Sequence, residues 1–78
     1  MATVNLTNDN FDETIEKGGM ALIEFFAPWC PHCKAFTPVF GKASEQHPDI
    51  VFGLVDTSEQ HDLSARFGIR GVPTIAVF

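Results

Sequence analysis

Cys30 and Cys33, in the run Trp29-Cys30-Pro31-His32-Cys33-Lys34, are the only two thiols of the chain. With two residues between them they close a ring across one helical turn, and the loop is small. In the chain-entropy model such a loop stabilises a fold by about 2 kcal/mol, against roughly 4.7 kcal/mol for a loop of a hundred residues. Stapling is therefore a weak reason for this spacing, and redox chemistry on sulfur is a stronger one. The thiolate is the reacting species, and a helix N-terminus with an imidazolium nearby takes a thiol pKa from about 8.5 into the range of roughly 3.5 to 7.5. If a helix starts near Pro31, Cys30 is the exposed nucleophile at its positive edge and Cys33 the resolving thiol one turn inside. Attack of the Cys30 thiolate on a substrate disulfide, then of Cys33 on the mixed disulfide, needs no cofactor. Pro31 and His32 tune the direction. A charged His32 stabilises the Cys30 thiolate and the reduced form, which makes the disulfide a stronger oxidant. Known dithiol proteins span about 150 mV, on the order of 7 kcal/mol, so one dipeptide matters greatly.

Two other readings of the pair are a buried unreactive pair and half of a zinc site. A structural zinc takes four ligands, and beyond the two cysteines they must come from His32, His47 or His61, which have no finger-like spacing. His47 and His61 read as surface residues at a helix end and a helix start, with no assigned role.

The elements that must position the dithiol are legible around it. Thr3 to Leu6 is short and β-prone, and Asn10 with Glu13 gives a capping arrangement for a first helix carrying Phe11 and Ile15, stopped by Gly18-Gly19. Ala21 to Phe26 is a nearly continuous apolar run, the pattern of a strand covered on both faces, with Glu24 buried inside it. Pro28 ends that strand. A second helix runs from about His32 to Gln46 and is bent by Pro38. Ile50 to Val55 is a second buried strand; Asp56-Thr57-Ser58 caps a short helix with Leu63 and Phe67, closed by Gly68. Gly71-Val72-Pro73 is a loop and Thr74 to Phe78 a last apolar strand. Phe25, Phe36, Phe40, Phe52, Leu63 and Phe67 are core positions, and Phe26 lines the surface near the dithiol. Strands alternating with helices imply an α/β layered domain with parallel neighbours and helices on both faces.

Length and composition agree. Seventy-eight residues, 45% of them hydrophobic, make one small globular domain over residues 1–78. The formal charge is −5, and the scattered Lys17, Lys34, Lys42, Arg66 and Arg70 argue against a nucleic-acid partner. The N-terminal Met1-Ala2-Thr3-Val4-Asn5 is not a basic segment followed by an apolar stretch, and the apolar runs are broken by Glu24, Pro28 or Pro31. The expectation is therefore no signal peptide, no membrane span and a cytoplasmic location.

The run Phe26-Ala27-Pro28-Trp29-Cys30-Pro31-His32-Cys33-Lys34, with Pro38 beyond it and Phe67-Gly68-Ile69-Arg70-Gly71-Val72-Pro73-Thr74 later, resembles the thioredoxin superfamily over the whole chain. The resemblance implies a thioredoxin-like layered domain with a central mixed sheet and helices on both faces. It implies a cis peptide bond before Pro73, which faces the dithiol and leaves the Val72 backbone free to pair with an extended substrate peptide. Trp29 matches the tryptophan flanking the nucleophile. Glu24 matches the family's buried acid, Asp in thioredoxins and commonly Glu in the catalytic domains of protein disulfide isomerase. It would move a proton to or from Cys33. The family's lysine on the neighbouring strand falls at Leu54, so that partner is missing. Between the cysteines, thioredoxins usually carry Gly-Pro and disulfide isomerases Gly-His, whereas Pro31-His32 resembles the bacterial periplasmic dithiol oxidases. The family also continues past the strand matching Thr74 to Phe78 with an antiparallel strand and a final helix. Their absence from this sequence implies a truncated domain with an unpaired apolar edge and self-association through it.

These observations point to a thiol-disulfide oxidoreductase acting on protein disulfides, and the resemblance implies recycling by a thioredoxin reductase if cytoplasmic. A redox-inactive interaction module or fragment on the same fold, and a metal-binding module, are the alternatives.

Overall fold

In the computed structural model, which describes residues 2–78, the chain runs as β1 (Thr3–Asn5), α1 (Phe11–Glu16), β2 (Ala21–Phe26), α2 (Pro31–Gln46), β3 (Val51–Asp56), α3 (His61–Arg66) and β4 (Thr74–Val77). The four strands form one sheet in the order β1-β3-β2-β4. β1 and β2 both run parallel to β3, placing Ala21 opposite Val51 and Glu24 opposite Leu54. β4 runs antiparallel to β2, with Glu24 opposite Ile75. The sheet is therefore mixed, as the resemblance implies, and the all-parallel neighbours expected from strand–helix alternation hold only for the first three strands. A short loop after α3, rather than a full crossover, returns the chain beside β2 in the opposite sense.

β2 is the strand covered on both faces. Its Ala21, Ile23 and Phe25 join Leu6, Phe11, Val55 and Leu63 in the main core, beneath α1 and α3. Alternation turns Leu22, Glu24 and Phe26 to the opposite face, where α2 packs. There the Phe40 ring meets Phe52 at 5.1 Å between centroids. On the α1/α3 side, Phe11, Phe67 and Phe78 form a triangle of rings 5.2–5.5 Å apart. The Arg66 guanidinium covers Phe67 at 5.0 Å and pairs with exposed Asp12 at 2.8 Å, so the pair contributes at most about 1 kcal/mol. Phe36, expected in the core, is half-buried, whereas Leu6 and Phe11 are among the most buried side chains.

Local capping differs from the sequence expectation at two helices. Asn10 occupies the N-cap of α1 without a side-chain bond into the helix. Its Oδ1 accepts the Thr7 N–H at 2.7 Å and its Nδ2 donates to the Asn5 carbonyl at 3.2 Å. The amide thus stitches the β1–α1 loop, and no capping box forms with Glu13. At the end of β3, Asp56 Oδ1 accepts the N–H and hydroxyl of Ser58. That closes a turn of its own, and α3 starts later, with Gln60 at its N-cap. α1 stops as expected, with Gly18 at φ 88° and Gly19 at φ 80°, the left-handed region that disfavours side chains. α2 continues through Pro38, which has no N–H to return to the Lys34 carbonyl. Among the described residues no helix is long and apolar enough to cross a membrane.

Gly53 sits in β3 where Leu6 crosses the sheet. A Cβ there would lie 2.5 Å from Leu6 Cδ1 and 2.7 Å from Ile23 Cδ1. Both neighbours are buried, so neither side chain has room to give. Gly53→Ala is expected to destabilise the domain by about 1–3 kcal/mol, the usual cost of overpacking. A urea midpoint that falls with an unchanged slope would report it.

Candidate active site

The dithiol is built at the junction between β2 and α2. After Phe26 the chain turns through Ala27-Pro28-Trp29, and the Cys30 N–H closes that turn on the Ala27 carbonyl at 3.1 Å. Cys30 is the N-cap of α2 in extended conformation, and Pro31 takes the first helical position, where its missing N–H costs nothing. The capping acceptor is sulfur: the Cys33 N–H donates to Cys30 Sγ at 3.3 Å. A helix of 16 residues therefore directs its positive end and a free N–H at this atom.

Both cysteines are free thiols. Cys30 is 8% exposed and Cys33 2%, so the expected exposed nucleophile is only the more open of two covered sulfurs. Ala27, Phe26 and Val72 pack around the pair. The Cys30 S–H donates to the Val72 carbonyl at 3.6 Å, across 42 residues of chain. The Cys30 thiol is pulled below the ordinary range, first by the Cys33 side chain as hydrogen-bond donor, then by the Cys33 N–H, with a smaller pull from the His32 N–H. Cys33 is pushed up, chiefly by burial. The environment thus separates two identical side chains, lowering the pKa of one thiol and raising that of the other. His32 and Pro31 are exposed, and His32 acts on the sulfur through its backbone N–H.

Glu24 lies behind the pair, fully buried in the middle of β2. Its Oε2 accepts the Thr37 hydroxyl at 2.9 Å, while Oε1 has no hydrogen-bond partner. Burial raises its pKa, and the Thr37 bond lowers it by less. Its charge in turn raises both thiols. Leu54 and Ile75 stand opposite it on the adjoining strands, so no cation offsets the burial there. Thr37 is the residue that sequence reading passed over. Its signal was its place one helical turn after Cys33, on the same face of α2.

Around the dithiol the structure gathers a surface. Trp29 is 69% exposed, and Val72 and Pro73, joined by a cis peptide bond, are half-buried. An apolar groove lined by Phe26, Ala27, Pro28, Cys33, Lys34 and Thr37 opens beside Cys33. His47 stacks on Phe52 at 6.4 Å, and His61 opens α3. Among the described residues no group of three His, Cys, Asp or Glu could hold a metal ion.

The asymmetry of the thiols has a measurable form. Iodoacetamide should alkylate Cys30 with a midpoint below the ordinary cysteine value of about 8.5, and Cys33 should react only at higher pH. Because the Cys33 side chain is the largest cause of the Cys30 shift, Cys33→Ala should move the Cys30 midpoint upward. An unchanged midpoint would show that the helix end alone sets it.

Comparison with known proteins places this geometry. The chain is 49% identical over 76 residues to putative thioredoxin 2 of Streptomyces coelicolor, covering 97% of this chain and 57% of that protein. It is 44% identical over 80 residues to protein disulfide-isomerase A4 of Mus musculus, covering 97% of this chain and 12% of that protein. Among solved structures, human ERp44 in its zinc-bound form superposes with a TM-score of 0.90 at 30% identity, over 97% of this chain and 23% of that one. The chain therefore spans little more than half of the putative thioredoxin and a small part of the disulfide isomerase. The Thioredoxin family profile matches residues 2–78; with the mixed sheet and a cysteine pair at the start of α2, this chain belongs to the thioredoxin family.

Proposed function

We propose that this domain is a thiol-disulfide oxidoreductase that exchanges disulfides with protein substrates through Cys30 and Cys33. The observation that carries the reading is the Cys30 sulfur at the N-terminus of α2, accepting the Cys33 N–H at 3.3 Å. The Cys30 thiolate attacks one sulfur of a substrate disulfide, and the other substrate sulfur leaves as a thiolate. Cys33 then loses its proton to the Glu24 carboxylate and attacks Cys30 Sγ. The Cys30–Cys33 disulfide closes, and the second substrate sulfur departs. Two electrons pass from the protein dithiol to the substrate, and Glu24 holds the Cys33 proton until solvent takes it. A thioredoxin reductase in a reducing, cytoplasmic setting is the recycling partner of this scheme, and running it backwards oxidises a substrate dithiol.

Peptide access follows from the same geometry. Ionisation of Cys30 removes the S–H donor from the Val72 carbonyl, leaving that carbonyl to accept an N–H from an extended substrate strand. Pro73 has no N–H to compete for the peptide. Trp29, the residue before Cys30, supplies an exposed aromatic surface for the peptide. The direction of exchange rests with Pro31 and His32, through the stability they give the thiolate.

Insulin reduction is the test. Wild type should turn over; Cys30→Ser should abolish turnover, and Cys33→Ser should accumulate a mixed disulfide at Cys30. No turnover by folded wild type would overturn the assignment. Against a glutathione buffer, Pro31→Gly combined with His32→Pro should lower the reduction potential. An unchanged potential would remove the role given to the dipeptide.

A second copy of the chain is the partner we propose for the β4 edge. Ala21 and Phe78 exchange both backbone hydrogen bonds, so alternation turns the N–H and C=O of Ile75 and Val77 away from β2. The same two residues carry exposed side chains, 42% and 66%. A two-fold antiparallel pairing of Ile75 with Val77 of the second copy would satisfy these groups and cover the side chains together. Light scattering should show a mass that rises with concentration for wild type and stays monomeric for Val77→Lys. A wild type that is monomeric throughout would exclude it.

A further inference from the structure

Thr37 stands between a buried acid and an open groove. Its hydroxyl donates to Glu24 Oε2 at 2.9 Å, and its side chain also lines the groove beside Cys33, Lys34 and Phe26. Glu24 itself has no exposed surface and no other hydrogen bond, since Oε1 is unpartnered. A proton that Glu24 has taken from Cys33 must still reach solvent. We propose that Thr37 is the positioning residue for this step: it holds Oε2 so that Oε1 is the free acceptor, and its hydroxyl is the relay to the groove. This rests on the Glu24 role proposed above.

The relay balances without a co-reactant. The Thr37 hydroxyl first turns from Oε2 to donate to water in the groove, and a turn of the carboxyl brings its protonated oxygen to Thr37 Oγ. Oγ takes that proton as its own passes to the water, and the proton it received then donates back to Glu24. The charged and titratable neighbours are few. From α2 come Cys30 and Cys33, whose charges couple to Glu24, and Lys34, which lines the same groove. β3 and β4 present Leu54 and Ile75. No cation on those strands duplicates what Thr37 does for the carboxylate. Loss of the hydroxyl removes the one bond that favours the ionised form, so Glu24 must then ionise at higher pH.

The experiment is carried out on the whole chain. The carboxyl carbon of Glu24 is titrated by NMR in the reduced protein, and resolution of a preformed Cys30 mixed disulfide is timed across pH. Thr37→Val keeps the shape and removes the hydroxyl. It should raise the Glu24 midpoint by about one pH unit, the equivalent of one hydrogen bond to a charged group. The limb of the rate profile that rises with pH should move with it. Thr37→Ser, which restores the hydroxyl, should return both toward wild type, and Glu24→Gln should abolish the limb. A limb lost in Glu24→Gln but unmoved in Thr37→Val, with an unmoved Glu24 midpoint, would overturn the role of Thr37 alone. A limb that survives Glu24→Gln would overturn the Glu24 assignment on which it stands.

Discussion

The hydrogen bond from the Cys33 N–H to Cys30 Sγ joins the fold to its chemistry. Every α-helix begins with backbone N–H groups that no residue of the helix can accept, and here one of them is given to sulfur. The cap requires Cys30 to be extended and the following residue to begin a helix; Pro31, with its fixed φ and no N–H, meets that requirement. What satisfies the helix therefore also holds a sulfur where negative charge is stabilised. Cys33, one turn along, is the backbone donor to that sulfur and, in the proposed exchange, the next thiol to react. Its own sulfur is covered by the same packing that orders the turn.

Glu24 shows the opposite balance. A fully buried carboxyl with one hydrogen bond and one bare oxygen opposes stability, since an unsatisfied buried polar atom costs about 1–3 kcal/mol. The sign with pH follows from its raised pKa: the native state is most favoured while Glu24 is protonated. That advantage is lost as pH rises from the ordinary carboxyl range through its native value. An apolar residue in β2 would relieve the cost and join Leu22 and Phe26 on the α2 face. The domain instead keeps a carboxyl behind its dithiol, in the strand that β3 and β4 both flank.

The sheet explains how so small a chain holds such a site. β2 is flanked on both sides, so the strand that ends at the dithiol has no free edge. Its α1/α3 face is filled by Phe11, Ile23, Phe25 and Val55. Across the sheet, α2 meets β3 through Phe40 and Phe52. The edges of the sheet fall on β1 and β4, away from its centre.

Much of this was legible in the sequence. The cysteine spacing, Pro31, the apolar run around Glu24 and the Gly18-Gly19 stop are local signals, and each reflects backbone constraint or hydrophobic period that needs no tertiary partner. The helix and strand order follows from them. Capping was less legible: Asn10 and Asp56 have side chains able to bond helix ends or their own loops, and loop geometry decided for the loop. Tertiary structure settled the rest, though the resemblance already implied the mixed sheet and Leu54 in place of a lysine. It set β4 antiparallel beside β2, brought the Val72 carbonyl to Cys30, and left Leu54 and Ile75 facing Glu24 with no cation. It also paired Thr37 with Glu24, because the register of α2 over β2 fixes which helical residue meets a buried carboxylate. Sequence identified the two sulfur atoms proposed to react; the packing of α2 on the sheet determined which of them has the lowered pKa and which buried carboxyl stands behind them.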